Sequence, residues 1–168
     1  MWGWTKSDWV KSYISMLEPH FNIKLYDSSS LANIDKSYNA EKQIHKQFID
    51  TGIDIAATSL IDAETEKVDI LAFSIGGTIA WKAGVSGLEI GSLFIVSSTR
   101  IRYEIQRPNC EIKLYFGEYD NFKPDDTWFS KMKLHYADIK SSYHSFYEHE
   151  GSAHRICSDI LNLYQVKF

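Results

Sequence analysis

Long apolar runs are missing from this chain: no stretch approaches the ~20 residues that a membrane-crossing helix needs, so no membrane partner is expected. The start, Met1-Trp2-Gly3-Trp4, soon reaches Lys6 and Asp8. No basic region followed by an apolar run is present there, so no signal peptide is read. Cysteine is scarce. Cys110 and Cys157 make no CxxC pair and no zinc spacing, and two reduced thiols in a reducing compartment are the expectation. These absences together point to a cytoplasmic protein. Positive charge is not in excess either: 18 Lys and Arg against 22 Asp and Glu leave a net charge of −4, and a chain without clustered basic residues is a poor ligand for nucleic-acid phosphates. There is no internal repeat and no low-complexity segment. The three prolines, Pro19, Pro108 and Pro124, fall at element boundaries.

Metal and phosphate motifs are also lacking. His149 and His154 stand five apart, which does not match the HExxH spacing of a zinc helix,. Gly76-Gly77 lacks the Gly-Lys-Ser/Thr ending of a phosphate-cradling loop,. No cofactor and no metal are expected.

What is present fits one globular domain over residues 1–168. Hydrophobic residues make up 44% of the chain and charged residues 24%, a balance that excludes disorder and supplies a core without disulfide or metal staples. The pattern predicts alternating helices and strands. Helices are expected over 7–17, over 39–66 with a break near Gly52, over 76–83, over 127–135 and over 154–164. Strands are expected over 22–26, 68–73, 92–96, 112–116 and 143–147. The run Val68-Asp69-Ile70-Leu71-Ala72-Phe73 is nearly continuously apolar, as in a parallel strand covered on both faces,. Strands separated by helices predict an α/β fold: a three-layer sandwich with a mostly parallel sheet.

In such sheets chemistry collects at the carboxyl ends of strands. Ser74 follows the 68–73 strand directly and precedes Ile75-Gly76-Gly77, where a helix opens. Strand, tight turn and helix are the context of a nucleophile elbow. The turn calls for small residues two before and two after the serine, and Ala72 and Gly76 stand there. The helix N-terminus beneath the serine offers free N–H groups to an oxyanion. A serine-glycine turn between strand and helix also occurs without any chemistry.

A serine nucleophile needs a base and a carboxylate that orients it. Asp120 lies beyond an apolar strand in Gly117-Glu118-Tyr119-Asp120, with Pro124 close behind, and Glu118 is its competitor inside the turn. His154 lies in Gly151-Ser152-Ala153-His154, after the last expected strand and at the start of the last helix. His149 is its rival at the strand end, and His144 falls within or at the start of that strand, too early for the role.

These residues carry a resemblance to the α/β-hydrolase superfamily over most of the chain. Gly151-x-x-His154 resembles the ending that carries the family histidine. Gly117-x-x-Asp120 with Pro124 resembles the acid turn. Gly3-Trp4-Thr5-Lys6-Ser7-Asp8-Trp9 is similar to the His-Gly-Trp loop of pimeloyl-carrier-protein methyl ester esterases and related carboxylesterases. The resemblance implies catalytic Ser74, Asp120 and His154, with the backbone N–H groups of Ile75 and Trp4 as oxyanion donors. Trp2 and Trp4 are the substrate-pocket candidates, whereas Trp9 and Trp81 read as packing residues.

The chain departs from the family twice. Trp2 stands where the loop histidine belongs, and the apolar strand before that loop is not in this sequence, so the 22–26 strand pairs directly with the 68–73 strand, something else fills the gap, or the natural protein starts upstream of Met1. A homodimer is one way to cover it. Only residues 97–111 separate the second and third buried strands, so no cap domain is expected. The fold expected is therefore a reduced α/β hydrolase without the early N-terminal strands and the cap. Its expected activity is cleavage of small carboxylic esters or thioesters by a Ser-His-Asp triad through an acyl-enzyme. The other reading is a non-catalytic relative that binds or scaffolds. Arg100, Arg102 and Arg107, beyond a strand end, either favour a carboxylate-bearing substrate or are solvated surface.

Overall fold

A computed structural model describes residues 8–35 and 41–165. Four strands form one sheet in the order β1-β2-β3-β4, every neighbouring pair parallel. They are β1 (Val68–Phe73), β2 (Ile90–Val96), β3 (Glu111–Gly117) and β4 (Tyr136–Ile139). The helices are α1 (Val10–Leu17), α2 (Ser28–Leu31), α3 (Glu41–Gln47), α4 (Ile53–Ala63), α5 (Ile75–Val85), α6 (Asp126–Met132) and α7 (Glu150–Gln165). A π-helical turn, Phe48–Gly52, joins α3 to α4. The expected break near Gly52 is that turn.

The three layers follow from the two-residue period of the strands. Leu93 and Ile95 of β2, with Leu114 and Phe116 of β3, face a core shared with α4, α5 and α6. Phe94, Val96 and Tyr115 face the opposite core, built with α1 and α7 from Tyr13, Leu17, Ile156 and Ile160. β2 is buried on both faces, as its apolar run requires,. The link from β2 to β3 holds only a single 3-10 turn, Ile101–Tyr103. It is pinned by two indoles. Trp81 Nε1–H donates to the Gln106 carbonyl at 2.8 Å and Trp128 Nε1–H to the Glu104 carbonyl at 2.9 Å. No cap is inserted there.

Two expected strands are corrected. Residues 22–26 carry no strand and do not pair with β1. Residues 143–147 are not a strand either: a 3-10 helix, His144–Glu148, occupies them. The last strand is β4, which lies earlier. It is a short edge strand whose Asp138 is paired with Lys140 at 2.6 Å and Lys123 at 3.7 Å. Charges that protect an edge from further pairing also blur its apolar signal.

The approach of α5 to the sheet depends on Gly77. A Cβ there would lie 2.8 Å from Ile95 Cγ2 and 2.9 Å from the Ser98 side chain. A Cβ on Gly76 meets nothing closer than Ser28 Oγ at 3.4 Å, so the tight contact is one residue later than the sequence reading placed it. On helix propensity alone, alanine would stabilise this position by about 1 kcal/mol. The clash reverses the sign: Gly77→Ala is expected to cost about 1–3 kcal/mol and to lower Tm by roughly 2–10 °C for a domain of this size. Thermal unfolding followed by circular dichroism tests it, and an unchanged or raised Tm contradicts the close packing.

Candidate active site

Ser74 occupies the turn between β1 and α5 with φ 50° and ψ −124°. A residue with a Cβ pays strain in this region. The turn is held on both sides: Ser74 N–H donates to the Val96 carbonyl at 2.9 Å, and the Ser74 carbonyl accepts from Gly77 N–H at 3.1 Å. The Ile75 amide is the first of α5 and has no intrahelical acceptor by helix geometry,. It is therefore available to a developing oxyanion beside Ser74. Trp2 and Trp4, the other residues expected at this edge, lie outside the described residues.

Asp120 ends the turn that follows β3. Its side chain is fully buried, and its Oδ1 accepts the Phe122 amide at 2.9 Å. Burial works to raise the Asp120 carboxyl, but hydrogen bonds from His144 and the Phe122 amide outweigh it and hold the group below its ordinary value,. Asp120 is therefore a carboxylate at neutral pH.

The histidine that meets this carboxylate is His144. Its Nδ1 lies 3.1 and 3.2 Å from the two Asp120 oxygens, and its Nε2 lies 3.3 Å from Ser74 Oγ. With the proton on Nδ1 donated to Asp120, Nε2 is free to accept from the Ser74 hydroxyl. The expectation for His154 is corrected. His154 stands in the first turns of α7 with its side chain 66% exposed, 4.0 Å from Glu150. The Gly151-x-x-His154 pattern belongs to the helix start and not to the loop that faces Ser74. His149, the other rival, is exposed at the end of the 3-10 helix.

Two loops are laced together to bring His144 to Asp120. Glu118 N–H donates to the Ile139 carbonyl and Tyr119 N–H to the Ser142 carbonyl, both at 2.9 Å. Glu118 is not the orienting acid; its carboxylate accepts the Ser141 amide at 2.8 Å and so fixes the histidine loop. Gly117 makes room for the approach, since a Cβ there would lie 2.5 Å from the Ser142 carbonyl oxygen and 2.7 Å from that of Tyr143. The Phe122 ring packs edge-on against His144 at 4.9 Å.

Tyr147 is a residue that the sequence reading did not single out. It is buried, 5.4 Å from the Phe73 ring and 6.0 Å from the His144 ring. Burial pushes its phenol up to about 12 against an opposing hydrogen bond from Ser74, so it stays protonated beside the serine. No short motif marks it; it is one helical turn beyond His144. The three arginines contact the protein's own groups. Arg102 donates to the Thr99 and Phe122 carbonyls and Arg107 to the Met132 carbonyl, while Arg100 lies over the Tyr103 ring. Among the described residues, no group of three His, Cys, Asp or Glu side chains could hold a metal, and no helix is long and apolar enough to cross a membrane.

No known family model matches the chain, and no curated protein matches it. Solved structures do. A candidate hydrolase of the alpha/beta superfamily from Xanthomonas campestris pv. campestris superposes with a TM-score of 0.58 at 14% identity, covering 91% of this chain and 88% of that one. A candidate YdeN-like hydrolase from Pectobacterium atrosepticum gives 0.56 at 13% identity, with 89% and 80% covered. A protein of unknown function from Agrobacterium tumefaciens, described as a candidate alpha/beta hydrolase, gives 0.53 at 10%, with 97% and 78% covered. The fold is that of the α/β hydrolases. Within this α/β-hydrolase fold, Ser74 occupies a strained strand-to-helix turn, and the strain is measurable. Glycine adopts φ 50° without the Cβ penalty of about 1–2 kcal/mol. Ser74→Gly should therefore melt above Ser74→Ala, by roughly 2–8 °C. Equal melting temperatures would show that the turn stores no strain.

Proposed function

We propose that this protein is a serine hydrolase of small carboxylic esters or thioesters, working through an acyl-enzyme and requiring no cofactor. The observation that carries the reading is the unbroken contact from Ser74 Oγ through His144 to the buried Asp120 carboxylate. The likeness in fold to candidate hydrolases supports the same class of chemistry, though a fold alone does not assign an activity.

In this mechanism Ser74 Oγ attacks the carbonyl carbon while His144 Nε2 takes the hydroxyl proton. Asp120 keeps His144 in the tautomer with Nδ1 protonated and stabilises the imidazolium that forms. The Ile75 amide bonds the oxyanion of the tetrahedral intermediate. Collapse of the intermediate expels the alcohol or thiol, which takes the proton from His144 and leaves an acyl ester on Ser74. Water, deprotonated by His144, then attacks that ester. The second tetrahedral intermediate releases the acid and returns the proton to Ser74. Without a cap, the site suits substrates that reach it from solvent, or acyl groups presented by a partner.

Labelling with a fluorophosphonate probe and hydrolysis of p-nitrophenyl acetate test the proposal. The wild type should label and turn over. Ser74→Ala should not label, and His144→Gln and Asp120→Asn should lose roughly 1,000-fold or more in kcat/KM. His154→Gln should leave both readouts unchanged. A wild type that neither labels nor hydrolyses favours a non-catalytic binding protein. Loss of activity in His154→Gln with retention in His144→Gln would reverse the assignment of the base.

A further inference from the structure

A buried phenol with no part in the mechanism above lies against the nucleophile. Tyr147 is 2% exposed. Its ring is enclosed by aromatic neighbours: Trp9 at 5.0 Å, Phe73 at 5.4 Å, His144 at 6.0 Å and Phe146 at 6.2 Å between ring centres. Its backbone carbonyl accepts the Tyr13 hydroxyl at 2.9 Å. Two of these neighbours frame Ser74: Phe73 precedes it in the chain, and His144 Nε2 lies 3.3 Å from its Oγ. A ring packed against both has little freedom, and its hydroxyl hydrogen-bonds the Ser74 side chain. Phenylalanine would fill the same aromatic packing. Only the hydroxyl sets Tyr147 apart, and a buried hydroxyl calls for a partner.

The protons available fix the direction of that bond. With Nδ1 of His144 protonated, the single hydroxyl proton of Ser74 points at Nε2, and Ser74 cannot also donate to Tyr147. Tyr147 keeps its own proton, because burial and the nearby Glu148 and Asp120 carboxylates oppose a phenolate,. Its O–H is therefore the donor and Ser74 Oγ the acceptor. As His144 takes the serine proton, negative charge develops on Oγ, until the new bond passes it to the carbonyl oxygen. Charge returns to Oγ when it leaves the second tetrahedral intermediate. A hydrogen bond strengthens as its acceptor gains charge, so this one is stronger in those transition states than in the resting protein. We propose that Tyr147 is a fourth catalytic residue, whose hydroxyl stabilises the charge on Ser74 Oγ while the Ile75 amide serves the carbonyl oxygen. This role rests on the serine-hydrolase reading above. The phenol keeps its proton throughout, and His144 remains the base.

Tyr147→Phe, assayed with p-nitrophenyl acetate and phenyl acetate, tests this role. Its kcat should fall about 10- to 100-fold, with KM within about threefold of the wild type. The rate constant for fluorophosphonate labelling, which reads attack by Ser74 alone, should fall by a similar factor. The loss should agree between the two esters to within about threefold, because the hydroxyl acts on Oγ and not on the leaving group. Tm should drop by no more than about 5 °C. Melting also reads the bond without turnover: Tyr147→Phe should destabilise the wild-type chain more than the Ser74→Ala chain, where its acceptor is gone. Four results would overturn the role: unchanged kcat and labelling in Tyr147→Phe, a larger loss for phenyl acetate, a larger drop in Tm, or equal melting shifts in the two backgrounds. A wild type that neither labels nor hydrolyses overturns the serine-hydrolase reading and this role together. An active wild type with an unimpaired Tyr147→Phe overturns this role alone.

Discussion

The contact between His144 and the buried Asp120 carboxylate is the constraint around which the functional edge is arranged. It requires the loop after β4 to lie against the turn after β3, and several otherwise unrelated residues serve that approach. Gly117 has no side chain because two carbonyls of the histidine loop occupy the space. Glu118 and Tyr119 donate their amides across the junction, and the Glu118 carboxylate accepts one in return. Asp120 can remain ionised in a buried position because three N–H···O contacts reach it, one from Phe122 and two from the His144 ring,. Without them, burial would neutralise the carboxyl, and the His144 tautomer that leaves Nε2 facing Ser74 would lose its fixing partner.

Ser74 and Asp120 are legible in the sequence for the same reason. Each follows an unambiguous apolar run, and each sits where a turn must re-aim the chain at the carboxyl end of a parallel sheet. His144 is not legible in that way. The strand that delivers it, Tyr136-Ala137-Asp138-Ile139, has four residues and an internal charge. The aromatic run His144-Ser145-Phe146-Tyr147 has the stronger strand pattern of the two, so the sequence moves the strand later by several residues and the histidine with it. In the structure Phe146 and Tyr147 are buried by a 3-10 turn and not by sheet pairing. Burial, not β-structure, was the signal those aromatics carried. The Gly-x-x-His pattern then points to His154, because a glycine near a helix start and a glycine in an active-site loop look alike in one dimension.

The 22–26 segment shows a related limit. Its composition permits a strand, but a strand exists only by pairing, and no described strand lies beside it. The sequence left open whether it would move against β1 or stay apart. The structure keeps it apart, because α1 and α2 are each anchored to a different part of the body. α1 packs on α7, with Tyr13 donating its hydroxyl to the Tyr147 carbonyl. α2 packs on α4. The segment between them cannot close on β1 without dislodging one of these contacts.

The candidate site therefore joins two parts held by different means. His144 and Asp120 belong to loops that bond each other and stand on β3 and β4, whose shared edge is paired and charged. Ser74 stands on β1, of whose six residues only Ala72 is buried, and is held by a strained turn. Apolar surface left open at a strand edge contributes less to stability than surface enclosed on both faces, and regions with fewer buried contacts open more readily. The 3.3 Å contact between Ser74 and His144 lies where these two parts meet. Its geometry is set by how well β1 is held against β2, through the Ser74–Val96 and Val68–Glu89 backbone bonds at its two ends. Any shift of β1 against β2 thus acts on the position of the nucleophile directly, through the strand that carries it.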